Sequence, residues 1–312
     1  MRCGPWVGGL VLAVATMAGC AADGAVTGSQ PTGSQQPERQ QPGREPLEAS
    51  RSWVYQLDGY PDGRLDALAA APQELAVIDL ARDGTTYFTA EDVAGLRDSG
   101  KTVLAYLSIG TIETYRPEDA AVRELRLNNW PDWPDEYFVR YWEDRWWDVV
   151  VQPRVDQALA AGFDGVYLDT LLAYEEIDLG LVPDVDREGL ARRMVDLVVR
   201  ISRHVKDERP GFLVYPQNNP ELREYDGYLD AVDGIGMEEL FYLDADEPCE
   251  EDWCAENLSH VRALHDAGKD VLAVDYADDP GTIAAACERY ADEGFAGYVA
   301  DVDLDGIRPP CE

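Results

Sequence analysis

Eight short apolar segments recur along the chain, and each is followed by a segment with a helical pattern. They are 53–57 (WVYQL), 75–80 (LAVIDL), 102–110 (TVLAYLSIG), 165–169 (GVYLD), 212–218 (FLVYPQN), 234–240 (GIGMEEL), 271–277 (VLAVDYA) and 297–303 (GYVADVD). Near-continuous apolar runs of this length are typical of parallel strands that are covered on both faces. We therefore predict an α/β fold, a single-domain (β/α)8 barrel over residues 52–312. An open doubly wound sheet is the alternative, but no G-x-G-x-x-G loop follows the first strand.

Two of the intervening segments carry clear helix signals. In FTAEDVAGLRDSGK, Thr89 is an expected N-cap with Asp92 three residues later, and Gly100 ends the helix. Segment 187–205 has an apolar stripe at helical spacing, which predicts a helix that packs on the sheet. The stripe consists of Leu190, Met194, Leu197, Ile201 and Val205.

The first fifty residues do not have the composition of a folded domain. Residues 1–19 contain Arg2 and then an apolar run too short to span a membrane, which predicts an export signal. The sequence TMAGC resembles a lipobox and predicts cleavage before Cys20 and lipidation of its thiol, with plain secretion after cleavage near Ala22 as the alternative. Residues 20–51 are rich in Gly, Ser, Gln and Pro, so we expect a disordered tether that holds the domain away from a membrane.

Four further cysteines lie in the domain, and they are Cys249, Cys254, Cys287 and Cys311. An even number in an exported protein predicts two disulfides, with three possible connectivities. Pairing within 249–254 would close a short loop, and pairing of 287 with 311 would fix the C-terminus. A zinc site is rejected because the spacing fits no common zinc finger and no histidine lies nearby. We expect no metal and no other cofactor.

The net charge of the chain is −35 at pH 7. Binding to phosphates requires clustered Lys and Arg, so nucleic acid is not an expected partner. The acidity either serves solubility or attracts a cationic substrate to acidic walls. We expect a monomer that contacts the membrane only through the Cys20 anchor.

Carboxylates recur at or just beyond the ends of the predicted strands. They are Asp79, Glu113, Asp169, Glu238, Glu239, Asp275, Asp301 and Asp303. In a (β/α)8 barrel the carboxyl ends of all strands open into one basin, where the functional site lies. A single acid there could cap the next helix, but capping is a poor account of six strands that end in acid.

Like charges in one basin raise one another's pKa, so that one carboxyl stays protonated beside an ionised neighbour. Glycoside hydrolysis needs this pair, an acid for the leaving oxygen and a carboxylate on the other face of the sugar. A divalent metal held by the acids is the alternative. His204, His260 and His265 all fall in predicted outer helices, so a Ser-His-Asp or Cys-His triad has no histidine at this face.

Five of the eight tryptophans lie in segment 128–150, NNWPDWPDEYFVRYWEDRWWDVV. They are Trp130, Trp133, Trp142, Trp146 and Trp147. We expect Trp146 or Trp147 to begin a helix and pack inward. At least one of the others is expected to stack on a sugar ring in a binding groove.

The chain resembles glycoside hydrolase family 114 over residues 52–305. The resemblance rests on WVYQL, VLAYLSIGTIETYR, GFDGVYLDT, VYPQNNPEL, GIGMEELFY and AGKDVLAVDY, which occur in the order seen in that family. It implies a (β/α)8 barrel that cleaves α-1,4-linked galactosamine polymers through two acids, since the family's fungal members are endo-α-1,4-polygalactosaminidases.

The resemblance also implies roles for individual residues. The catalytic acids are Asp169 on the fourth strand and Glu238 on the sixth, with Glu239 as the fallback because neighbouring strand residues point to opposite faces. Implied substrate contacts are Gln217, Asn218, Asp275, Tyr276, Arg116 and Glu113, the last as a third acid for a substrate amine. The strand ends and the tryptophan-rich segment add Tyr55, Asp79, Trp142 and Asp301 as candidates. Thr170 and Thr111 depart from the family, where Asn and an acid respectively are common.

The leading hypothesis is an exported, lipid-anchored hydrolase of a polysaccharide with α-linked amino sugars. Asp169 would be the nucleophile or base and Glu238 the proton donor, and these roles could be exchanged. A second hypothesis is a carbohydrate-binding lipoprotein that keeps the barrel without turnover. A third is a hydrolase or lyase of another polysaccharide, because a barrel does not fix the substrate.

Overall fold

A computed structural model describes residues 52–131, 133–243 and 246–311. All of them belong to the structural unit Arg44–Glu312. The predicted export signal (1–19), the Cys20 lipidation site and the tether (20–51) lie outside the described residues.

Strands occupy thirteen segments of the described residues. In chain order they are β1 (Trp53–Gln56), β2 (Leu75–Asp79), β3 (Thr102–Ser108), β4 (Thr111–Glu113), β5 (Arg126–Asn129), β6 (Glu136–Val139), β7 (Gly165–Asp169), β8 (Leu213–Pro216), β9 (Gly234–Glu238), β10 (Tyr242–Leu243), β11 (Glu247–Pro248), β12 (Asp270–Tyr276) and β13 (Ala296–Ala300). Each of the eight predicted apolar segments overlaps one strand of the barrel, namely β1, β2, β3, β7, β8, β9, β12 and β13.

These eight parallel strands close into a barrel. Five pair in the order β1-β2-β3-β7-β8 and three in the order β9-β12-β13. At the β8/β9 seam Gln217 pairs with Gly236, and the backbone N–H of Asn218 donates to the Gly236 oxygen at 2.8 Å. At the β13/β1 seam the indole N–H of Trp53 donates to the Ala296 oxygen at 2.9 Å. The closed arrangement confirms the predicted (β/α)8 fold class and excludes the open sheet.

Helices cover the outside of the barrel. They are α1 (Asp66–Ala70), α2 (Ala90–Asp98), α3 (Asp119–Val122), α4 (Asp144–Trp146), α5 (Gln152–Ala161), α6 (Ala173–Glu176), α7 (Arg187–Glu208), α8 (Tyr228–Ala231), α9 (Asp252–Asp266) and α10 (Pro280–Glu293), with a π-helical turn at Trp147–Val151 and 3-10 turns at Pro61–Gly63, Arg123–Leu125, Leu179–Leu181 and Pro220–Glu224. The capping box of Thr89 and Asp92 and the buried stripe of α7 are as predicted. None of the helices in the described ranges is long and apolar enough to cross a membrane.

Two features depart from a simple alternation of strand and helix. Between β3 and β7 the chain adds a small antiparallel sheet in the order β4-β6-β5, which we call the accessory sheet. After β13, residues 301–311 run without a helix. The Cys287–Cys311 disulfide fixes this last segment to α10, and the second disulfide joins Cys249 to Cys254.

Aromatic rings fill the interior of the barrel. Trp53, Tyr55, Tyr167, Tyr215 and Tyr298 are each at most 1% exposed. The ring centres of Trp53 and Tyr55 are 5.7 Å apart, and those of Tyr55 and Tyr167 are 5.4 Å apart. These contacts extend from β1 to β7, so a single aromatic layer ties distant strands together.

Glycines on β9 provide the space that these rings need. A Cβ atom on Gly236 would lie 1.8 Å from the Tyr167 hydroxyl oxygen, and one on Gly234 would lie 2.3 Å from the Tyr215 ring. No side chain other than hydrogen fits at such distances. The β9 sequence GIGME is therefore set by the tyrosines that face it.

We expect Gly236→Ala to destabilise the barrel, because the added methyl group would have to displace a fully buried tyrosine. Overpacking of this kind costs about 1–3 kcal/mol. The measurement is the free energy of unfolding in urea. Gly95→Ala is the matched control, since a Cβ there meets no atom within 4 Å in the middle of α2. It should raise stability by about 0.5–1 kcal/mol. Equal effects at the two positions would contradict the packing argument.

Candidate active site

The two predicted catalytic acids lie at the carboxyl-terminal mouth of the barrel, above the aromatic layer. Side chains alternate across a strand, so a residue two places beyond an interior residue also points inward. Asp169 lies two places after Tyr167 on β7, and Glu238 lies two places after Gly236 on β9. Both side chains are partly exposed, whereas the layer below them is buried.

Glu238 accepts hydrogen bonds from three side chains. The Tyr276 hydroxyl donates to Oε1, the Gln217 amide donates to Oε2, and Asn218 Nδ2 donates to Oε2 at 3.0 Å. The Tyr55 hydroxyl donates to Gln217 Oε1 at 3.1 Å, which fixes the amide with its nitrogen towards Glu238. All these donors are neutral, so they orient the carboxylate without neutralising its charge.

Asp169 accepts hydrogen bonds from the Tyr106 hydroxyl and from the backbone N–H of Thr170, the latter at 2.5 Å. Burial and the neighbouring charge of Glu238 raise the pKa of Asp169 to about 7, against the lowering effect of these two donors. Burial and the charge of Asp169 hold the pKa of Tyr106 well above its usual value, so the phenol remains a donor. Asp169 thus exchanges its proton near neutral pH.

A second acidic group lies at the ends of β2 and β4. Arg116 Nη2 is 3.2 Å from Asp79 Oδ2 and 3.0 Å from Glu113 Oε1. Burial opposes the ionisation of Glu113, but the charges of Arg116 and Arg154 outweigh it and lower its pKa. Glu113 Oε2 is buried and has no hydrogen-bond partner among the described residues. This group therefore holds one fixed cation and two acids.

Glu136 is a site residue that the sequence analysis missed. It lies on β6 directly opposite Glu113 on β4, and the Thr111 hydroxyl donates to Glu136 Oε1 at 2.5 Å. Burial, the charge of Glu113 and the charge of Asp169 raise the pKa of Glu136 to about 8. Glu136 thus belongs to the electrostatic surroundings of Asp169. In the sequence it stands before the short apolar run YFV, in a segment that was interpreted through its tryptophans.

The residues that follow the strand ends adopt left-handed backbone conformations. They are Thr170 (φ 65°), Asn218 (φ 60°), Asn219 (φ 49°) and Glu239 (φ 52°). Non-glycine residues rarely adopt positive φ, and such residues cluster at functional sites. The backbone therefore turns sharply just beyond both Asp169 and Glu238.

Asp275 does not face the basin. Because Tyr276 points inward to Glu238, its neighbour Asp275 points outward. The Asp275 carboxylate is fully buried and accepts from the Tyr290 hydroxyl at 2.6 Å and from the backbone N–H groups of Phe241 and Tyr242 at 3.0 and 3.2 Å. The structure thus places Asp275, an expected substrate contact, beneath the mouth, where it anchors the segment after β9 against α10.

Other predicted contacts differ in their placement. Tyr55 and Gln217 are buried beneath Glu238 and support it. Asp301 pairs with Arg308 at 3.0 Å on the segment after β13. Trp142 lies against the Arg193 guanidinium of α7, 4.9 Å from its ring centre, and so belongs to the outer layer. Among the described residues, no group of three or more His, Cys, Asp or Glu side chains could hold a metal ion.

The other tryptophans divide between core and surface. Trp146 and Trp147 are buried, and Trp146 ends α4, so these two pack inward as predicted. Trp130 stacks on Phe138 of the accessory sheet, with ring centres 5.4 Å apart. Trp133 is 57% exposed, three residues before Glu136. It is the tryptophan of this segment most accessible to a sugar ring.

A (β/α)8 barrel with two inward carboxylates at the mouth has the layout of a glycoside hydrolase. The model of glycoside-hydrolase family GH114 matches residues 32–312, and the chain belongs to that family and is a glycoside hydrolase. A relative from Deinococcus radiodurans is 35% identical over 266 residues, which are 84% of this chain and 83% of the relative. One from Thermotoga maritima is 31% identical over 283 residues, 83% of this chain and 85% of the relative.

Solved structures share the fold at lower identity. The glycoside hydrolase domain of PelA from Pseudomonas aeruginosa has a TM-score of 0.65 at 19% identity, with 82% of this chain and 96% of that chain covered. Ega3 from Aspergillus fumigatus, in complex with galactosamine, has a TM-score of 0.68 at 16% identity, with 87% and 99% covered. At this low sequence identity, the structural similarity shows that the present chain shares the fold of these proteins.

The Asp169 carboxyl should titrate near pH 7 and not below pH 5. Glu238→Gln removes the nearby negative charge, so it should lower the pKa of Asp169. The measurement is a pH titration of ¹³C-labelled aspartate carboxyl shifts by NMR. Asp83 is the internal control, because hydrogen bonds from Thr85 and Thr86 lower its pKa to about 2 whether or not Glu238 is charged. An Asp169 pKa that is the same in wild type and variant would contradict the coupling of the two acids.

Proposed function

We propose that the chain hydrolyses a polysaccharide with α-1,4-linked galactosamine units through Asp169 and Glu238. One observation carries the proposal. The two carboxylates lie on strands that flank β8, they point into one basin, and each is oriented by a tyrosine hydroxyl. Glu136 of the accessory sheet is coupled to Asp169 by charge, and its pKa is raised to about 8.

In the reaction, one acid protonates the glycosidic oxygen as its bond to the sugar breaks. The other carboxylate either attacks the anomeric carbon or activates the water that does. We assign Asp169 as nucleophile or base and Glu238 as proton donor. The same geometry permits the exchange of these roles. A test of the roles is therefore part of the proposal.

The charge balance of the site supports an amino-sugar substrate. Arg116 binds Asp79 and Glu113 and Arg308 binds Asp301, but the side chains that bind Asp169, Glu136 and Glu238 are tyrosines, amides and a threonine, which bring no positive charge. A polymer with free amines carries positive charge at neutral pH and would be attracted to such a basin. The galactosamine bound to Ega3 is a ligand of this class.

Asp169→Asn and Glu238→Gln should each lower kcat on the order of 10²–10⁴-fold, because each removes a proton-transfer or nucleophilic group. The measurement is reducing-end release from galactosamine, N-acetylgalactosamine and uronic acid polymers. Asp207→Asn is the charge control, since this exposed residue of α7 is remote from the mouth. If wild type and both variants leave every polymer intact, the proposal fails.

The same variants separate the two catalytic roles on an aryl glycoside with a good leaving group. Such a leaving group needs little protonation, so the variant without the proton donor should recover most of its bond-cleaving rate. We expect recovery in Glu238→Gln and none in Asp169→Asn. The opposite result would exchange the roles and leave the pair intact.

We further propose that the protein is exported and held at the membrane by a lipid on Cys20. The lipobox-like TMAGC sequence supports this, as do the two disulfides, which form in oxidising compartments. Cys20→Ser should move the protein from the membrane fraction to the soluble exported fraction, as measured by fractionation and immunoblotting. Cys3→Ser, in the expected signal segment, is the control. Membrane retention of the Cys20→Ser variant would argue against the anchor.

A further inference from the structure

A second pair of carboxylates lies at the same end of the barrel, in the loops that follow β7 and β8. Glu175 belongs to α6, and Glu221 belongs to the 3-10 turn Pro220–Glu224. The Tyr174 hydroxyl is 3.2 Å from Glu175 Oε1 and contacts Glu221 Oε1 more closely. A hydroxyl carries one proton, so it satisfies one of the two carboxylates at a time.

Asn219 completes this cluster. Its Nδ2 lies 3.2 Å from Glu175 Oε2 and 3.3 Å from Glu221 Oε1, and this contact with two carboxylates fixes which end of the amide is nitrogen. The residue is only 9% exposed, yet its Oδ1 is buried and has no hydrogen-bond donor in the part of the chain that the structure describes. A buried amide oxygen without a donor is costly, so the cluster lacks one hydrogen-bond donor.

The cluster also lacks positive charge. Within the described ranges, neither Glu175 nor Glu221 has a Lys or Arg nitrogen within 4.0 Å. Arg187 binds the Tyr174 backbone oxygen at 2.8 Å and not the carboxylates. Burial and then the charge of Glu221 raise the pKa of Glu175. Two carboxylates are therefore held together by neutral donors alone.

The position of the cluster connects it to the catalytic pair. Asn219 directly follows Asn218, whose Nδ2 donates to Glu238 Oε2 at 3.0 Å. A substrate chain that spans the mouth from Glu238 towards the loops after β7 and β8 would therefore meet Glu175 and Glu221. The ligand that the cluster lacks has a positive charge and several N–H donors, which are the properties of a primary ammonium group.

We propose that Glu175, Glu221 and Asn219 form a subsite that binds the protonated amine of a hexosamine unit beside the unit being cleaved. The subsite rests on the proposed function in one respect, that the substrate is a polymer with amino groups. It adds the element that distinguishes a free amine from an acetylated one. An acetamide has no positive charge and one N–H donor, so it would leave both carboxylates uncompensated.

Steady-state kinetics on the full chain tests the subsite. Glu175→Gln and Glu221→Gln keep the side-chain shape but remove the charge. Each should raise KM for a galactosamine polymer about tenfold or more, in line with the loss of a hydrogen bond between charged groups. The value of kcat should change less than about twofold, because the subsite does not touch the reacting bond. On an N-acetylgalactosamine polymer both variants should match wild type.

Glu176→Gln is the matched control, because it removes the same charge from the next residue, an exposed side chain of α6. Its KM should stay within about twofold of wild type, because the hydrogen bonds of Tyr174 and Asn219 go to Glu175 and Glu221 and not to Glu176. Glu175→Asp keeps the charge and should retain most of the affinity, which separates the loss of charge from a loss of folding. Equal KM values for Glu175→Gln, Glu221→Gln and Glu176→Gln would overturn the subsite, as would equal losses on the acetylated polymer.

Calorimetric binding separates the failure of the subsite from the failure of the proposed function. The probes are a galactosamine tetramer and its N-acetylated form, titrated into the Glu238→Gln protein with and without Glu175→Gln. Weaker binding of the galactosamine tetramer alone in the double variant supports the subsite, even if wild type cleaves neither polymer. Unchanged binding of that tetramer in the double variant refutes the subsite, even if wild type is an active hydrolase.

Discussion

The contact between the Tyr167 hydroxyl and Gly236 determines the geometry of the mouth. It brings the fourth and sixth barrel strands together across the interior, at a distance that leaves no room for a Cβ atom. Asp169 and Glu238 each lie two residues further along the same strands. The packing of the aromatic layer therefore fixes the relative position of the two carboxylates. Such a site needs no separate scaffold, because side chains locked by a close-packed core orient the groups above them.

Two further tyrosines link the barrel to the electrostatics of the mouth. Tyr106 and Tyr276 direct their hydroxyls to Asp169 and Glu238. Burial raises the pKa of both phenols, so they act as permanent neutral donors. A lysine or arginine in their place would pair with the acids and lower their pKa values. Neutral donors hold the carboxylates in position while leaving one of them able to carry a proton near pH 7.

Apolar pattern alone located all eight barrel strands, because a strand buried on both faces must be apolar almost throughout. The accessory sheet escaped this criterion, since β5 has the polar sequence RLNN and is only half buried. Glu136 was missed with it. For Asp275 the apolar pattern located the strand correctly, but the alternation of side chains along it decided which residue faces the basin. Tyr276 and Asp275 are adjacent on one strand, so only one of them could face the basin. A tertiary contact, the Tyr276 hydroxyl on Glu238, settles which one.

Four non-glycine residues beside the site adopt left-handed backbone conformations, which lowers the stability of the fold. Thr170 and Glu239 directly follow the two acids, and Asn218 and Asn219 lie between them in space at the end of β8. A non-glycine residue in this conformation costs about 1–2 kcal/mol, and glycine would avoid the cost. Glycine would also lose the Asn218 amide that binds Glu238 and the Asn219 amide that binds Glu175 and Glu221. These positions therefore carry non-glycine residues although their backbone conformation favours glycine. Such a loss of stability is expected where the side chains are needed for contact with a ligand.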